Sequence, residues 1–598
     1  MKRIPHILKT YKGNDRPSNC IWVDTETKHY TTKDGKQLHY LWFGWACHQR
    51  REHGDVWSKP DWFRFETIEE FWTWVESKTR KKSRLYIFAH NGQFDLPVLD
   101  AFLELPHRGW ELDNAIIECP PMMVVWKRDT ASIKFVDTLN IWRTSLDALG
   151  ESIGIGKLAM PLASDSQEEW DLYCQRDTEV IRQALLTWLS FLHDNDLGGF
   201  SVTLASQAFN TYRHRFMNVP IFVHDRQRAL DTERRAYVGG RTECFKMGEH
   251  KGKFYYIDVN SMYPSVMFTE EYPHKLVDSY HNVSHNELGS WLEQWAVIAD
   301  VVIETEVPAY PKIHDNKLIF PVGTFNTSLA GPELKHAYHH GHIKSIGHTC
   351  IYEKAPLFKE FIAFMYSMRM QAKKDGDEVK SWLYKIMMNS LYGKFGQRGR
   401  RFETDSHTDD LSIEVWTEIN AETLEITNYR MFGGIIQKWV EEGESRESFP
   451  GIAAYVTSYA RMKLWDAMYR AGMENCYYCD TDSLVVNEAG FSRLGDIINA
   501  DSLGYWAVED ILSSLELRGP KDYRFDSIEK TKGVRKNAKW VTDSIAEQAY
   551  FVGIKGLLRD YNLSMPVVYD ITKIQSRNYT KGIIDSEFNV QPLRLALD

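Results

Sequence analysis

The sequence predicts a mixed α/β (α+β) fold spread over about three or four lobes. Three observations predict it. The 598 residues are too many for a single hydrophobic core. Short apolar runs of strand character end in acidic residues, with long stretches of helical period between them. No internal repeat or low-complexity tract breaks that alternation. A content of 43% apolar and 26% charged residues is that of a folded, soluble chain. No uncharged apolar run reaches the roughly 18 residues of a membrane span, so no membrane partner is expected. The leading segment MKRIPHILKT is basic but lacks the apolar block of a secretory signal. Eight cysteines in so long a chain imply a reducing, cytoplasmic setting, with an organellar location as the alternative.

A net charge of −10 does not exclude a nucleic-acid partner. Carboxylates that hold metal ions lower the total, while basic residues can be confined to a groove. Basic clusters occur at Lys373-Lys374, at Arg398 with Arg400-Arg401, and at Lys530, Lys532, Arg535 and Lys536.

From the N-terminus, Asn19–Val23 reads as a strand entering Asp24-Thr25-Glu26. The two-residue strand period puts Asp24 and Glu26 on one face, where adjacent carboxylates repel unless cations lie between them. The strand Leu85–Phe88 leads to His90-Asn91-Gly92-Gln93-Phe94-Asp95. A helix running to Leu192 opens with Tyr173-Cys174-Gln175-Arg176-Asp177, and its Tyr173 and Asp177 are neighbours on one face. The strand Lys253–Ile257 delivers Asp258, followed by Val259-Asn260-Ser261-Met262-Tyr263-Pro264-Ser265. A helix from about Pro356 to Lys374 turns at Asp375-Gly376-Asp377 into a second helix with Lys385, Asn389 and Tyr392 on one face. An antiparallel pair of these helices brings Arg369 and Lys373 near Lys385. Asn475–Cys479 leads to Asp480-Thr481-Asp482 and returns through Ser483–Val486, a hairpin with carboxylates at its tip. Cys476 and Cys479 have CxxC spacing, but no second pair follows, so strand packing is the better reading. Taken singly, each segment has an ordinary explanation as a solvated strand end, a helix cap or a turn.

Taken in order, DxE, Nx2FD and YxxxD resemble the three motifs of the DEDD 3′–5′ exonuclease of family B DNA polymerases. DxxSMYPS, KxxxNSxYG and YxDTDS resemble that family's motifs A, B and C, with Met262 in place of the usual leucine. Tyr237-Val238-Gly239-Gly240 resembles the YxGG element that holds the template, and Lys521-Asp522-Tyr523 resembles the KxY element that grips the primer. Asp137-Thr138-Leu139 and Lys157 resemble segments that contact a frayed primer end in the protein-primed branch. The resemblance implies a right-hand polymerase (palm, fingers and thumb) with an N-terminal ribonuclease H-like exonuclease.

It further implies catalytic carboxylates at Asp258, Asp480 and Asp482 for synthesis, with the Val259 carbonyl completing a metal shell. Asp24, Glu26, Asp95 and Asp177 would serve degradation, with Tyr173 orienting the attacking water. Arg369, Lys373, Lys385, Asn389 and Tyr392 would hold the nucleotide, and Tyr263 would exclude a 2′-hydroxyl. Asn91, Phe94, Thr138, Leu139, Lys157, Tyr237, Gly239, Gly240, Lys521 and Tyr523 would meet DNA. Two magnesium ions per site are implied, with manganese as a substitute. The expected partners are primer-template DNA, dNTPs and a terminal protein primer, and the expected state is a monomer.

Spacings of 127 positions from Asp258 to Lys385 and 95 from Lys385 to Asp480 leave room for two insertions, as in the protein-primed branch. The expected division is 1–190 exonuclease, 191–300 first palm part, 301–355 first insertion, 356–399 fingers, 400–445 second insertion, 446–525 second palm part and 526–598 thumb. The first insertion would dock the terminal protein. The second would close on DNA for strand displacement and processivity. Three alternatives remain at this level: a nucleic-acid-primed replicase or repair polymerase of the same family, a catalytically silent DNA-binding scaffold, and a nuclease whose palm is only a clamp.

Overall fold

Three large sheets, two of them joined by distant parts of the chain, organise the computed structural model. It describes residues 3–52, 56–118, 120–526, 528–560 and 562–597. Met1 and Lys2 of the basic leader, and the side chains of Arg400 and Arg401, lie outside the described residues.

The N-terminal lobe is built on a mixed ten-stranded sheet. At its centre Asn19–Thr31 runs parallel to Arg84–Ala89, which runs parallel to Ala131–Asp137. Cys20, Ile21, Trp22 and Val23 are fully buried, which is why this run is continuously apolar rather than alternating. The first strand enters Asp24-Thr25-Glu26, as the sequence reading had it, and continues to Thr31. It pairs with Gln37–Arg50, with a bulge opposite Glu26/Thr27. The helix Gln167–Asp194 starts at a Ser166/Glu169 capping box and lays Trp170, Tyr173, Cys174 and Asp177 along the inner face.

The second sheet is antiparallel, in the order 242–244, 476–480, 483–487, 248–259, 506–519, 522–525 and 528–531. The buried helix Pro450–Ala471 packs behind it. Beside it stands the helix pair Lys359–Lys374 and Glu378–Ser390, joined where Gly376 takes φ +71°. The motif-bearing helix is interrupted at Leu391 and resumes as Tyr392–Phe395.

In the third sheet, Tyr272–Tyr280, Ile343–Ala355, Ala296–Thr305 and Val322–Ala330 lie side by side. The expected boundary at 300/301 falls within the strand Ala296–Thr305, so the first insertion is continuous with the preceding segment. Both chain ends complete this sheet: His6–Ile7 on Phe222–Val223, and Arg594–Leu595 parallel to Val322–Gly323.

The segment expected as the second insertion forms a four-stranded antiparallel sheet of Gly399–His407, Ile435–Glu442, Ile426–Phe432 and Glu414–Ile419. It leans on the N-terminal lobe, where Phe432 meets Phe102 at 5.5 Å and Gln437 Nε2 donates to the Ala115 carbonyl at 3.1 Å.

Beyond residue 526 the chain does not stand apart as a free lobe. Ile545–Val552 and Val567–Ile574 extend the first sheet, with Val567 opposite Leu38. The chain then crosses to the second sheet, where Tyr579 bonds the Cys244 backbone and Lys581 Nζ donates to the Thr242 carbonyl at 2.8 Å.

Candidate active sites

The first site gathers Asp24 and Glu26 from one strand, Asp95 from the helix Gly92–Val98, and Asp177 from the long helix. Ligand atoms of Asp24, Glu26 and Cys174 lie within 4.8 Å of one another. Asp95 is buried and accepts from Thr25 Oγ1 at 2.8 Å. Asp177 is gripped on one oxygen by Lys157 Nζ at 2.6 Å, while its Oδ1 is buried without a partner among the described residues. Burial raises the Asp24, Glu26 and Asp177 carboxyls, and mutual repulsion, foremost from Asp177, raises Asp24 and Glu26 further. A cluster of carboxylates that resist shared ionisation, with one orphaned oxygen, is a donor set suited to divalent cations.

Lys157 also lies 4.8 Å over the Tyr173 ring. Cys174 was missed by sequence reasoning. It sits three residues before Asp177 on the same helix, its Sγ 3.6 Å from Asp24 Oδ2, so helix-face spacing would have found it. Asn91 holds a left-handed backbone, φ +74°, and its N–H donates to Asp137 Oδ1 at 3.1 Å. Thr138 is fully buried, with its Oγ1 bonded to the Ala89 carbonyl and the His90 ring, whereas Leu139 is half-buried. Phe94 is half-buried between His39 and Phe551, each at 5.7 Å.

The second site forms where two strands and a hairpin meet. Asp258, near the end of Gly248–Val259, lies opposite Ser483 in register, and the Val259 N–H donates to the Asp482 carbonyl at 2.9 Å. The hairpin tip is set by Thr481 at φ +66°, whose N–H donates to the Arg241 carbonyl. Burial pushes the Asp258 carboxyl up to about 7, and Asp482 and Glu509 add to that rise while Lys385 opposes it. Burial also raises Asp482, as does nearby Asp480, against Lys521 and Lys385. Asp480 itself is engaged by Thr242 Oγ1 at 2.9 Å, Lys521 Nζ at 3.3 Å and Lys530 Nζ at 3.9 Å. Glu509 is the second residue sequence reasoning missed. It is the extra residue of a bulge, since Tyr256 pairs with Asp510 and Ile257 with Val508.

Around these carboxylates, Tyr263 and Tyr392 lie ring to ring at 4.7 Å. Arg369 reaches Ser261 Oγ at 3.3 Å, and its Nε is buried without a partner among the described residues. Lys385 and Asn389 are exposed on the helix face, as is Lys373 near the end of its own helix. Val238 and Gly239 carbonyls accept from Arg461 Nη1 at 2.8 and 3.0 Å, which anchors the Tyr237–Gly240 segment. A side chain at Gly240 would collide with Thr481, and one at Gly396 with the Tyr237 ring. Tyr523 is buried, stacked on Phe525 at 4.0 Å and packed against Tyr478 of the hairpin at 5.3 Å, while Lys521 reaches the carboxylate of Asp480.

Comparisons with known proteins agree with this arrangement. The family described as DNA polymerase type B, organellar and viral, matches residues 157–434. The DNA-directed DNA polymerase of Enterobacteria phage PRD1 is 24% identical over 490 residues, covering 80% of this chain and 79% of that one. The DNA polymerase of Bacillus phage Nf is 25% identical over 384 residues, 60% of this chain and 59% of that one. A probable DNA polymerase of the fungus Ascobolus immersus is 26% identical over 344 residues, and the match spans only 28% of its length. Among solved structures, Phi29 DNA polymerase complexed with primer-template DNA and incoming nucleotide substrates superposes with a TM-score of 0.66 at 17% identity. That match covers 93% of this chain and 100% of that one. The fold is accordingly that of a right-hand polymerase. With the family model lying across the segment that carries Asp258 and Lys385, the chain is similar to the type B DNA polymerases over that segment.

Proposed function

We propose that the protein extends DNA at the Asp258–Asp482 site and removes nucleotides from frayed 3′ ends at the Asp24–Glu26–Asp95–Asp177 site. The observation that carries this reading is the presence of two separate carboxylate clusters on two different sheets, each with its own cationic and aromatic surround. Magnesium bound at either cluster would activate the attacking oxygen and stabilise the leaving one.

The chain's own groups account for the rest. In the synthetic site Lys385 and Arg369 hold the triphosphate, and the unpartnered Arg369 Nε is a donor left for a phosphate oxygen. Lys373 adds charge at the outer edge. Asn389 and Tyr392 border the nascent base pair, and the Tyr263 ring leaves no room beneath the sugar for a 2′-hydroxyl. Asp258 and Asp482, with the Val259 carbonyl, would hold the metal ions. Asp480, tied up by Thr242 and Lys521, positions the tip and links it to the primer-gripping strand. In the degradative site Lys157 fixes Asp177, and Tyr173 aligns the attacking water. Asn91, Phe94 and Leu139 line the approach of the single strand, and Thr138 acts from the interior by orienting His90. Tyr237, Gly239 and Gly240 hold the template close to the hairpin.

We infer further that synthesis is primed by a terminal protein docked at the first insertion and proceeds with strand displacement. The two insertions and the match to phage PRD1 polymerase over four-fifths of the chain support this.

The test uses two double variants. Asp480→Ala with Asp482→Ala should abolish extension of a primed template and spare degradation of single strands, and Asp24→Ala with Glu26→Ala should do the reverse. Loss of both activities in either double variant would show that there are not two sites. A covalent nucleotidyl–protein adduct, formed with terminal protein, origin DNA and one labelled dNTP, marks protein priming. Its absence under every pairing leaves nucleic-acid priming as the mode.

A further inference from the structure

We propose that Phe551, 374 residues beyond Asp177, the last of the degradative motifs, is part of the surface that holds the single strand in the degradative site. This rests on reading that site as a 3′–5′ exonuclease.

The strand Asn19–Thr31 carries Asp24 and Glu26 on one face and Thr25 and Thr27 on the other, where Thr25 Oγ1 donates to Asp95 Oδ1 at 2.8 Å; the bulge opposite Glu26/Thr27 falls on the partner strand at Trp42. Just past the bulge, Thr27 Oγ1 bonds His39 Nδ1 at 2.9 Å. His39 in turn sits edge-on to Phe94 at 5.7 Å, and Phe94 faces Phe551 at 5.7 Å with rings inclined at 53°. The three rings therefore lie on the Asp95 side of the carboxylate cluster, Phe94 being the residue next to Asp95 in the chain. A rise of about 3.4 Å per residue puts them within about one or two nucleotides of it. Phe94 and Phe551 are both half-buried, so each offers apolar ring surface to a ligand. His39 Nε2 is buried with no partner among the described residues, a hydrogen-bonding group that the protein itself does not use.

The strand that brings Phe551 is held firmly. Ile545–Val552 pairs with Val567–Ile574, which joins the exonuclease sheet at Leu38 and Gln37. The His39 N–H donates to the Pro566 carbonyl at 3.0 Å, and Ser564 Oγ to Asp100 at 2.7 Å. Gly553 lies so close to Gln93 that a Cβ there would stand 2.4 Å from the Gln93 amide oxygen. A shelf of aromatic rings beside a carboxylate cluster suits unpaired bases, because every base has a π-face and stacking is sequence-tolerant. Paired DNA cannot present its base faces, so the shelf favours a frayed end over an annealed one.

The test is steady-state degradation of oligo(dT) by the full chain. Phe551→Ala should raise KM about tenfold and leave kcat within about twofold. Phe551→Tyr should stay near wild type. Tyr550→Ala removes an exposed ring from the neighbouring position of the same strand, and it should leave KM unchanged. A Phe551→Ala enzyme with wild-type KM would overturn the proposal, as would one that lost only kcat or one matched by Tyr550→Ala, since these mark a purely structural role. Failure of the wild type to degrade oligo(dT) would instead sink the exonuclease reading itself.

Discussion

Replacing Arg461 by methionine tests the coupling between the palm helix and the Tyr237–Gly240 segment. Arg461 is 2% exposed on the helix Pro450–Ala471 and binds Glu333 with Nε at 2.7 Å and Nη2 at 3.0 Å. Glu333 is fully buried, and among the described residues its one other side-chain donor is Ser458 Oγ at 2.9 Å. The third arginine nitrogen holds the Val238 and Gly239 carbonyls. Arg461→Met therefore leaves a carboxylate in a dry site with a single neutral hydrogen bond, a change that costs about 3–5 kcal/mol. Adding Glu333→Met removes the stranded charge, and the double variant should recover most of that loss because apolar replacement of a buried pair is often neutral. The two carbonyls lie at the half-exposed and exposed residues Val238 and Gly239, where water can replace the lost donor, so they add little. Urea unfolding followed by tryptophan emission reports the stability, since Trp465 is on the same helix. Function should separate from stability. The double variant, though stable, has an untethered Tyr237–Gly240 segment, so its balance should shift from extension toward degradation on a matched primer. A single variant within about 1 kcal/mol of wild type, or a double no more stable than the single, would refute the reasoning.

Replacing Tyr263 by valine removes the ring that packs on Tyr392, and ribonucleotide incorporation in a primer-extension assay should rise on the order of 10- to 100-fold over wild type. Stability should also fall in mild acid. Burial holds His48 and His336 down to about 4 from 6.5, with Lys78 acting further on His48 and His340 and His342 on His336. The unfolded chain takes up these protons near pH 6.5 and the folded chain only near 4, so stability present above 6.5 is lost as pH falls between those values. Screening of these partly accessible rings reduces each contribution to on the order of 1 kcal/mol. A His48→Asn, His336→Gln variant should show a flatter profile of urea midpoint against pH, and an unaltered slope would count against the assignment.

The parts of the molecule legible in the sequence are those whose geometry is encoded locally. Asp24 and Glu26 share a strand face, Lys385 and Asn389 a helix face, and Asp480 and Asp482 a hairpin tip, and in each case spacing alone fixes the relation. Glu509 was not legible, because it reaches Asp258 only through a one-residue register shift between strands 250 residues apart in sequence. Cys174 was hidden by its chemistry rather than its place, since a buried cysteine is ordinarily core. Thr138 was read as a DNA contact beside Leu139, yet the short 3-10 turn after Asp137 rotates its hydroxyl inward onto Ala89 and His90. The segment beyond 526 was the least readable. Its strands are short and largely solvent-facing, and a sheet edge accepts a strand from any point in the chain, so nothing local announces that Val567 pairs with Leu38.

Charge sharpens the role of the second insertion. Between residues 400 and 445 stand eleven acidic and four basic residues, so this segment alone accounts for much of the net charge of −10. A surface that closed on DNA by gripping phosphates would need the opposite balance. An acidic sheet instead repels a phosphate backbone that comes near, which fits a proposed role by obstruction. Its hairpin ends in exposed Ile419, Leu424 and Ile426, and its base is fixed to the N-terminal lobe through Phe432 and Gln437. Under the proposed strand-displacing function, a negatively charged sheet with an apolar edge would have the properties of a wedge. In that reading it would part strands by steric exclusion and repulsion, while the cations proposed to hold DNA lie elsewhere, around Lys385, Lys521 and Lys530.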